Sequence, residues 1–230
     1  YQADNCRKYQ ECVLVFDDFL PQGLLTQLQT DSFCMAKKGG GWSRPLYVDN
    51  QQLNPAPRQL RDKQLTPEER LTLENSIDVV TTLVHQKLSL LTNNHSITKY
   101  NTWINTGSIP SPPGNKDNEF HFWHYDSDEY MEFCLSKDWL RFPIWAAIFY
   151  VNEPSDECHY TLFDDKSINQ KIRSITNRLV IFDPRYMHGV IGTNQSDDTH
   201  DTRLVMVFNA WDYDAPDHAV DLEKEAEKQI

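Results

Sequence analysis

The sequence predicts a mainly β domain, a sandwich or barrel, with flanking helices. Three observations point to it. From about residue 96 onward, short runs rich in Val, Ile, Phe, Tyr and Trp recur between turn residues. Helical patterns precede these runs and do not alternate with them, which argues against a doubly wound parallel sheet. At 230 residues, with 39% hydrophobic and 12% aromatic residues, the chain is long enough for one domain with a sizeable core.

The first part of the chain, about 1–95, is predicted to be a helical support for that domain. A short apolar strand at 12–16 comes first, and a helix then opens at Leu20. Pro, Gln and Asn dominate 42–64, which predicts a long surface loop with little regular structure.

The clearest helix start in the chain is at Thr66. Thr66 is an N-cap residue, Pro67 occupies the first helical position, and Glu69 completes a capping box. The apolar stripe that follows predicts a helix packed on the outside of a sheet; its members are Leu73, Ile77, Val80, Val84 and Leu91.

The predicted β core covers about 96–211, and an acidic tail follows at 212–230, so we expect one domain over 1–230. The tail is expected to hold a short exposed helix. The candidate strands of the core are 96–105, 120–126, 143–152, 158–163, 178–183, 188–193 and 202–211.

Charge and hydropathy limit the partners. The net charge of −12 argues against binding to nucleic-acid backbones, which need stripes of Lys and Arg. No apolar run is long enough to span a bilayer. A small-molecule or peptide partner is therefore expected, with no nucleic acid and no membrane.

The five cysteines are scattered without a C-x-x-C pair, which favours free thiols in a reducing compartment. A cytoplasmic location is expected on this ground. The chain begins at Tyr1 without Met, which leaves a secretory route open.

His124 and Asp126 are the first candidate metal ligands. Aromatic neighbours favour an extended backbone here, and residues two apart on a strand share one face. The imidazole and the carboxylate therefore lie side by side, with His121 on the opposite face. The alternative is an edge histidine hydrogen-bonded to a carboxylate.

A third ligand is offered by His188, which follows a turn and opens a strand. Two His and one carboxylate on one face of a metal describe the site of non-haem Fe(II) oxygenases, although zinc also accepts this set. His200 and His218 lie in polar segments, so His159 is the serious competitor.

Arg203 is the one charge at the entrance to an apolar strand. A charge there is costly unless it is paired, and a guanidinium grips a carboxylate at two points. The far carboxylate of a bound dicarboxylic acid fits this role. The alternatives are a strand-end Arg that reaches solvent or one that pairs with an acid of this chain.

His124, Asp126, His188 and Arg203 together resemble the Fe(II)/2-oxoglutarate-dependent dioxygenases, and among them the prolyl-hydroxylase-like branch. The apolar run 178–183 before His188 is among the most specific parts of a likeness that covers roughly 96–211. It implies a double-stranded β-helix core of the jelly-roll or cupin type. The implied cofactors are Fe(II) on the three ligands, 2-oxoglutarate as cosubstrate, and O2.

The resemblance also implies cosubstrate-binding residues. Arg203 would hold the 2-oxoglutarate carboxylate with help from Tyr150, and Ile148 on the same strand face would form a pocket wall. Tyr100 is a further candidate. Asn209 shares parity with Arg203 and is expected to face inward, near cosubstrate or substrate. No catalytic residue is expected beyond the metal site.

The sequence departs from the branch in three places, one of which is Val205, where relatives frequently have Ser or Thr two residues after the Arg. Bulky residues stand at 158–161, where relatives often have a Gly pair, and an insertion around 194–201 lengthens the interval between His188 and Arg203. These departures leave open the substrate and the role of His159.

The resemblance implies hydroxylation of a C–H bond with release of succinate and CO2. We expect a small amino-acid-like metabolite as substrate. The alternatives are a peptidyl-prolyl hydroxylase and a non-catalytic jelly-roll module that binds a metal or a ligand.

Overall fold

The structure is a computed structural model. It describes residues 6–9, 13–37, 42–49, 52–55, 66–91, 97–106, 123–126, 142–153, 160–165, 168–191 and 203–212.

Two antiparallel sheets make up the fold. The larger has eight strands in the order β1-β2-β9-β6-β11-β5-β3-β4. Their bounds are β1 Cys6–Tyr9, β2 Val13–Phe16, β3 Trp42–Asp49, β4 Gln52–Pro55, β5 Lys99–Thr106, β6 Trp145–Tyr150, β9 Arg178–Phe182 and β11 Leu204–Trp211. The smaller sheet has the order β10-β7-β8, with β7 Tyr160–Asp165, β8 Ile168–Arg173 and β10 His188–Ile191.

The two sheets face each other across an apolar interior. Phe163 and Ile172 of the small sheet form one buried cluster with residues from four strands of the large sheet. On the large sheet these inward residues alternate along each strand; they are Val13, Val15, Ala146, Ile148, Tyr150, Val180, Phe182, Val205 and Val207.

The opposite face of the large sheet is covered by two helices, α1 Gln22–Lys37 and α2 Pro67–Leu91. Intervening strand residues such as Phe149, Ile181 and Phe208 pack there. Because the sheet is covered on both faces, all eight residues of β11 are buried. The predicted class, mainly β with flanking helices, is confirmed.

The predicted capping box of α2 is present. The Thr66 hydroxyl accepts from the Glu69 backbone N–H at 3.2 Å, and the Glu69 carboxylate accepts from the Thr66 N–H at 2.9 Å. Leu73, Ile77, Val80 and Val84 of the predicted stripe are buried against the sheet, as is Leu88, whereas Leu91 is partly exposed.

Replacing Thr66 with alanine is expected to destabilise the fold by about 1 kcal/mol, because one N-terminal N–H of α2 loses its acceptor. The urea midpoint of unfolding measures the loss. Thr72→Ala is a matched control, since Thr72 lies in the exposed part of the same helix and its hydroxyl donates to the Glu68 carbonyl. It should leave the midpoint unchanged or raise it slightly. Equal losses in both variants would contradict a specific role for the cap.

The prediction of a loop over 42–64 is wrong for the part that the structure describes. Strands β3 and β4 form a hairpin with Asp49 opposite Gln52, and β3 also pairs with β5. Pro45 was one reason why a loop was predicted here. It lies in the half of β3 that pairs only with β5 among the described strands, and a Pro is tolerated where one strand edge is free of ladder bonds.

The N-terminal segment is therefore not only a helical support, because 1–95 contributes β1 to β4 to the large sheet as well as α1 and α2. Strand β8 also went unpredicted. It is an edge strand in which Ile172 is buried while Asn169 and Lys171 are exposed, so its sequence carries little apolar signal.

The acidic tail lies outside the described residues, apart from Asp212. Neither helix is apolar over a stretch that would cross a bilayer, within the residues that the structure describes.

Candidate metal centre

His188 is the first residue of β10, directly after the turn that follows β9, and its side chain is buried. Its ring lies 4.8 Å from the Phe182 ring and 5.9 Å from the Phe163 ring, measured between centroids. These two aromatic side chains belong to opposite sheets, so they fix the imidazole within the interior of the fold.

The tautomer of His188 follows from its hydrogen bond. Nδ1 lies 3.0 Å from the carbonyl oxygen of Tyr186, and a carbonyl can only accept, so Nδ1 carries the proton. In the neutral ring the lone pair is then on Nε2. A backbone carbonyl that orients a histidine in this way is a common feature of metal sites.

His124 is joined to His188 by the backbone. The two residues form an isolated antiparallel bridge in which each N–H donates to the other's carbonyl, at 2.9 and 3.0 Å. Their rings stand 4.3 Å apart between centroids. The bridge thereby holds the segment 123–126 beside the start of β10 and brings Asp126 to the same place.

The three side chains form one cluster. Asp126 Oδ1 lies 3.9 Å from His124 Nε2, and Asp126 Oδ2 lies 3.6 Å from His188 Nε2. One ligand atom from each residue fits within 4.8 Å of the others. The structure therefore brings together the three predicted ligands, and His124, at 37% exposure, is the member open to solvent.

The electrostatics of the cluster suit a cation. Burial lowers the pKa of His188, Asp126 raises it in part, and His124 lowers it further, so the neutral form that a metal requires is favoured. Asp126 is only 6% exposed, yet its Oδ2 has no hydrogen-bond donor within the described part of the chain. A buried carboxylate oxygen without a donor is costly, and a metal ion would satisfy it.

A second polar group lies inside the fold at Arg203. Its guanidinium carbon stands 5.5 Å from the centre of the Tyr150 ring, and the Tyr150 hydroxyl is hydrogen-bonded to the Thr161 hydroxyl at 2.6 Å. Arg203 is 9% exposed, and no carboxylate pairs with it among the described residues. This burial does not agree with a solvent-reaching side chain, and the described residues contain no ion-pair partner for Arg203.

Ile148 and Asn209 both face the interior, as predicted from strand parity. Ile148 belongs to the buried cluster between the sheets. Asn209 shares the face of Val205 and Val207 and is 4% exposed. Their roles toward a cosubstrate remain predictions.

Tyr100 does not lie where a cosubstrate-binding residue would have to be, so the role expected for it is wrong. Tyr100 lies on the face of β5 that packs against the helices, and its hydroxyl is hydrogen-bonded to Nδ1 of His85 in α2 at 2.8 Å. The whole thickness of the large sheet separates it from the interior. It cannot contact a ligand bound beside Arg203.

His85 of α2 is buried against the sheet. Burial lowers its pKa from the ordinary 6.5, so the folded protein binds this proton less readily than the unfolded chain. Folding stability should therefore fall as the pH drops below about 6.5.

The contribution of His85 is measured by urea unfolding between pH 7.5 and 5. We expect His85→Gln, which keeps a hydrogen-bonding group without a titration, to lose less stability over this range than the unchanged protein. Parallel curves for the two proteins would rule out a contribution from His85.

The competing ligand His159 and the insertion around 194–201 lie outside the described residues. Sequence reasoning gave no role to Thr161, whose hydroxyl completes the polar group with Tyr150 and Arg203. Strand alternation could have predicted its position, because Thr161 lies two residues before the inward-facing Phe163 and so shares its face.

Fold and cluster together define a class: two facing antiparallel sheets with a candidate two-histidine, one-carboxylate metal centre between them. No family model matches the chain, and no curated protein is similar to it in sequence. Solved structures are similar in fold.

One of these structures is IDO from Bacillus thuringiensis, with a TM-score of 0.55 and 14% identity over 87% of this chain and 89% of that one. Another, from a study of prolyl 4-hydroxylases from Phytophthora capsici, has a TM-score of 0.51 and 12% identity over 94% of this chain and 67% of that one. A prolyl-4-hydroxylase from Pseudomonas putida gives 0.48 and 15% over 87% and 92%. At such identities the first two structures, whose TM-scores exceed 0.5, show the fold alone, and the predicted double-stranded β-helix core is confirmed.

Proposed function

We propose that this protein is a non-haem Fe(II)- and 2-oxoglutarate-dependent oxygenase. One observation carries the proposal: a buried cluster of two histidines and a carboxylate shares its interior with a buried arginine that no described carboxylate neutralises. The first group is suited to a metal ion, and the second to an anion.

His124, Asp126 and His188 would hold the iron. Two imidazoles and one carboxylate on one side of the ion leave positions free for a chelating cosubstrate and O2. Zinc accepts the same donors, so the triad alone does not choose the metal. Arg203 favours iron with 2-oxoglutarate, since a zinc site has no need of a second buried anion.

The far carboxylate of 2-oxoglutarate would bind to Arg203. The planar guanidinium is suited to two parallel hydrogen bonds with a carboxylate, and the Tyr150 and Thr161 hydroxyls lie beside it. Ile148 and Val207, which face the same interior, supply apolar walls. In this dry surrounding the ion pair is stronger than it would be in water.

When bound, iron with 2-oxoglutarate supplies the oxidising chemistry: one oxygen atom of O2 goes to a substrate C–H bond, and the other to succinate, with loss of CO2. The chain's own residues orient the ligands and exclude water. His188 is held in one tautomer by the Tyr186 carbonyl, and Phe163 and Phe182 keep its ring in place.

We propose a small amino-acid-like metabolite as the substrate. The net charge of −12 supports a small or cationic partner over nucleic acid. A prolyl residue of a peptide is the second candidate, because one structure of the same fold comes from a study of prolyl 4-hydroxylases and because Trp123 and Tyr125, on either side of His124, are exposed.

Purified protein incubated with Fe(II), ascorbate, O2 and 2-oxoglutarate is expected to form succinate. We expect this reaction to proceed slowly even when no substrate is added. Mass spectrometry measures the succinate, and a reaction with Zn²⁺ in place of Fe(II) is the control. Metal binding without any succinate would favour the non-catalytic binding module. Oxygenation of a proline-containing peptide, and of no free amino acid, would favour the second candidate.

A further inference from the structure

Two asparagines lie side by side on the inner face of the large sheet. Asn101 of β5 is the direct cross-strand partner of Asn209 of β11. They are 8% and 4% exposed, and in neither does the Oδ1 atom have a hydrogen-bond donor within the described residues. Side chains in such a pair are about 5 Å apart at Cβ.

The pair faces the metal centre. Asn209 is also opposite Ala146, and Ala146 is opposite Phe182, whose ring lies 4.8 Å from that of His188. Asn209 is thus two strands, or roughly 10 Å, from Phe182. Ala146 therefore places only a methyl group on the sheet between Asn209 and Phe182.

Two neighbouring acceptors without donors are unfavourable inside a fold. Each buried, unsatisfied oxygen costs free energy, and two carbonyl dipoles close together repel each other. A single group with several N–H bonds would satisfy both. A primary ammonium has three such bonds, and its charge strengthens each of them.

We propose that Asn101 and Asn209 form the substrate subsite and that they bind the ammonium group of a small amino-acid-like substrate. The inference rests on the proposed oxygenase function. It assigns opposite tasks to the two ends of one strand face. Arg203 holds an anion, and Asn209, six residues or roughly 20 Å further along β11, binds a cation.

The probe is the set of common L-amino acids, each added with Fe(II) and 2-oxoglutarate to the full chain. We expect at least one to raise succinate formation above the substrate-free rate and to gain one oxygen atom. Its N-acetyl derivative, which lacks the charge and two of the N–H bonds, should do neither. Equal activity with the acetylated form would overturn the assignment of an ammonium.

Variants of the pair separate a substrate role from a structural one. Asn101→Leu and Asn209→Leu are expected to raise the KM for the amino acid about 10- to 100-fold, with a much smaller effect on the KM for 2-oxoglutarate. Asn209→Asp, which keeps the acceptor and removes the donor, should retain most of the affinity. Loss in the Asp variant equal to that in the Leu variant would contradict an acceptor role.

Thr102→Val is the matched control, because Thr102 is adjacent to Asn101 but lies on the helix-facing side of β5. It should leave both KM values unchanged. A change confined to the KM for 2-oxoglutarate in the Asn variants would indicate that the pair binds the cosubstrate and would overturn the assignment to the substrate. Substrate-free succinate formation without stimulation by any amino acid would end this inference and leave the oxygenase proposal intact, whereas no succinate at all would end both.

Discussion

Asp126→Ala and His188→Ala are each expected to lower Fe(II) affinity and 2-oxoglutarate turnover by more than about 100-fold. Loss of a residue that merely orients a ligand costs about 10- to 100-fold, and loss of the ligand itself should cost more. Asp126 contributes the single negative charge of the cluster, and its Oδ2 has no hydrogen-bond donor among the described residues. Equilibrium dialysis with metal analysis measures binding, and succinate formation measures turnover.

His159→Ala is the decisive comparison, since His159 is the rival third ligand in the sequence. It should keep iron binding and turnover. If His159→Ala removes the iron and His188→Ala retains it, the assignment of the triad is wrong. Near-ultraviolet circular dichroism of each variant checks that a loss of iron is not a loss of fold, because His188 also packs against Phe163 and Phe182.

Arg203→Ala is expected to raise the KM for 2-oxoglutarate at least about 30-fold while sparing iron binding. Truncating one partner of a buried, hydrogen-bonded charge pair costs about 2–5 kcal/mol, which corresponds to this factor or more. Arg203→Lys keeps the charge but loses the planar fork, so its KM should lie between the two. Initial rates of succinate formation over a range of 2-oxoglutarate concentrations measure the effect.

Arg173→Ala is the matched arginine control. Arg173 forms an exposed ion pair with Glu153 at 2.7 Å on the small sheet, and such pairs contribute little. Its KM for 2-oxoglutarate should equal that of the unchanged protein. An unchanged KM in Arg203→Ala would refute the cosubstrate role of Arg203 and remove the reason for choosing iron over zinc.

Local sequence patterns predicted several elements correctly. The cap of α2 depends on three neighbouring residues, so its signal is complete within one helical turn. The loop prediction for the stretch that contains β3 was wrong for the opposite reason. Pro45 is tolerated there because of how β3 pairs with β4 and β5, and pairing between distant strands is not a local property.

The candidate site shows the same division. His124 and Asp126 are two residues apart, so strand parity predicted that their side chains meet, and they do. His188 is distant in sequence and was chosen over His159 by its position after a turn. The backbone bridge between His124 and His188 is what joins the third ligand to the first two, and only the folded chain contains it.

The sequence by itself determined the mainly β class, the long capped helix, and the residue types of the candidate site. Tertiary structure decided which strand face is the interior. In β5 and β11 both faces are buried, so hydrophobic alternation does not distinguish the face under the helices from the face toward the metal centre. Tyr100 was therefore misplaced and the Asn101–Asn209 pair went unnoticed, because the identity of a face is set by the packing of whole layers and not by spacing along one strand.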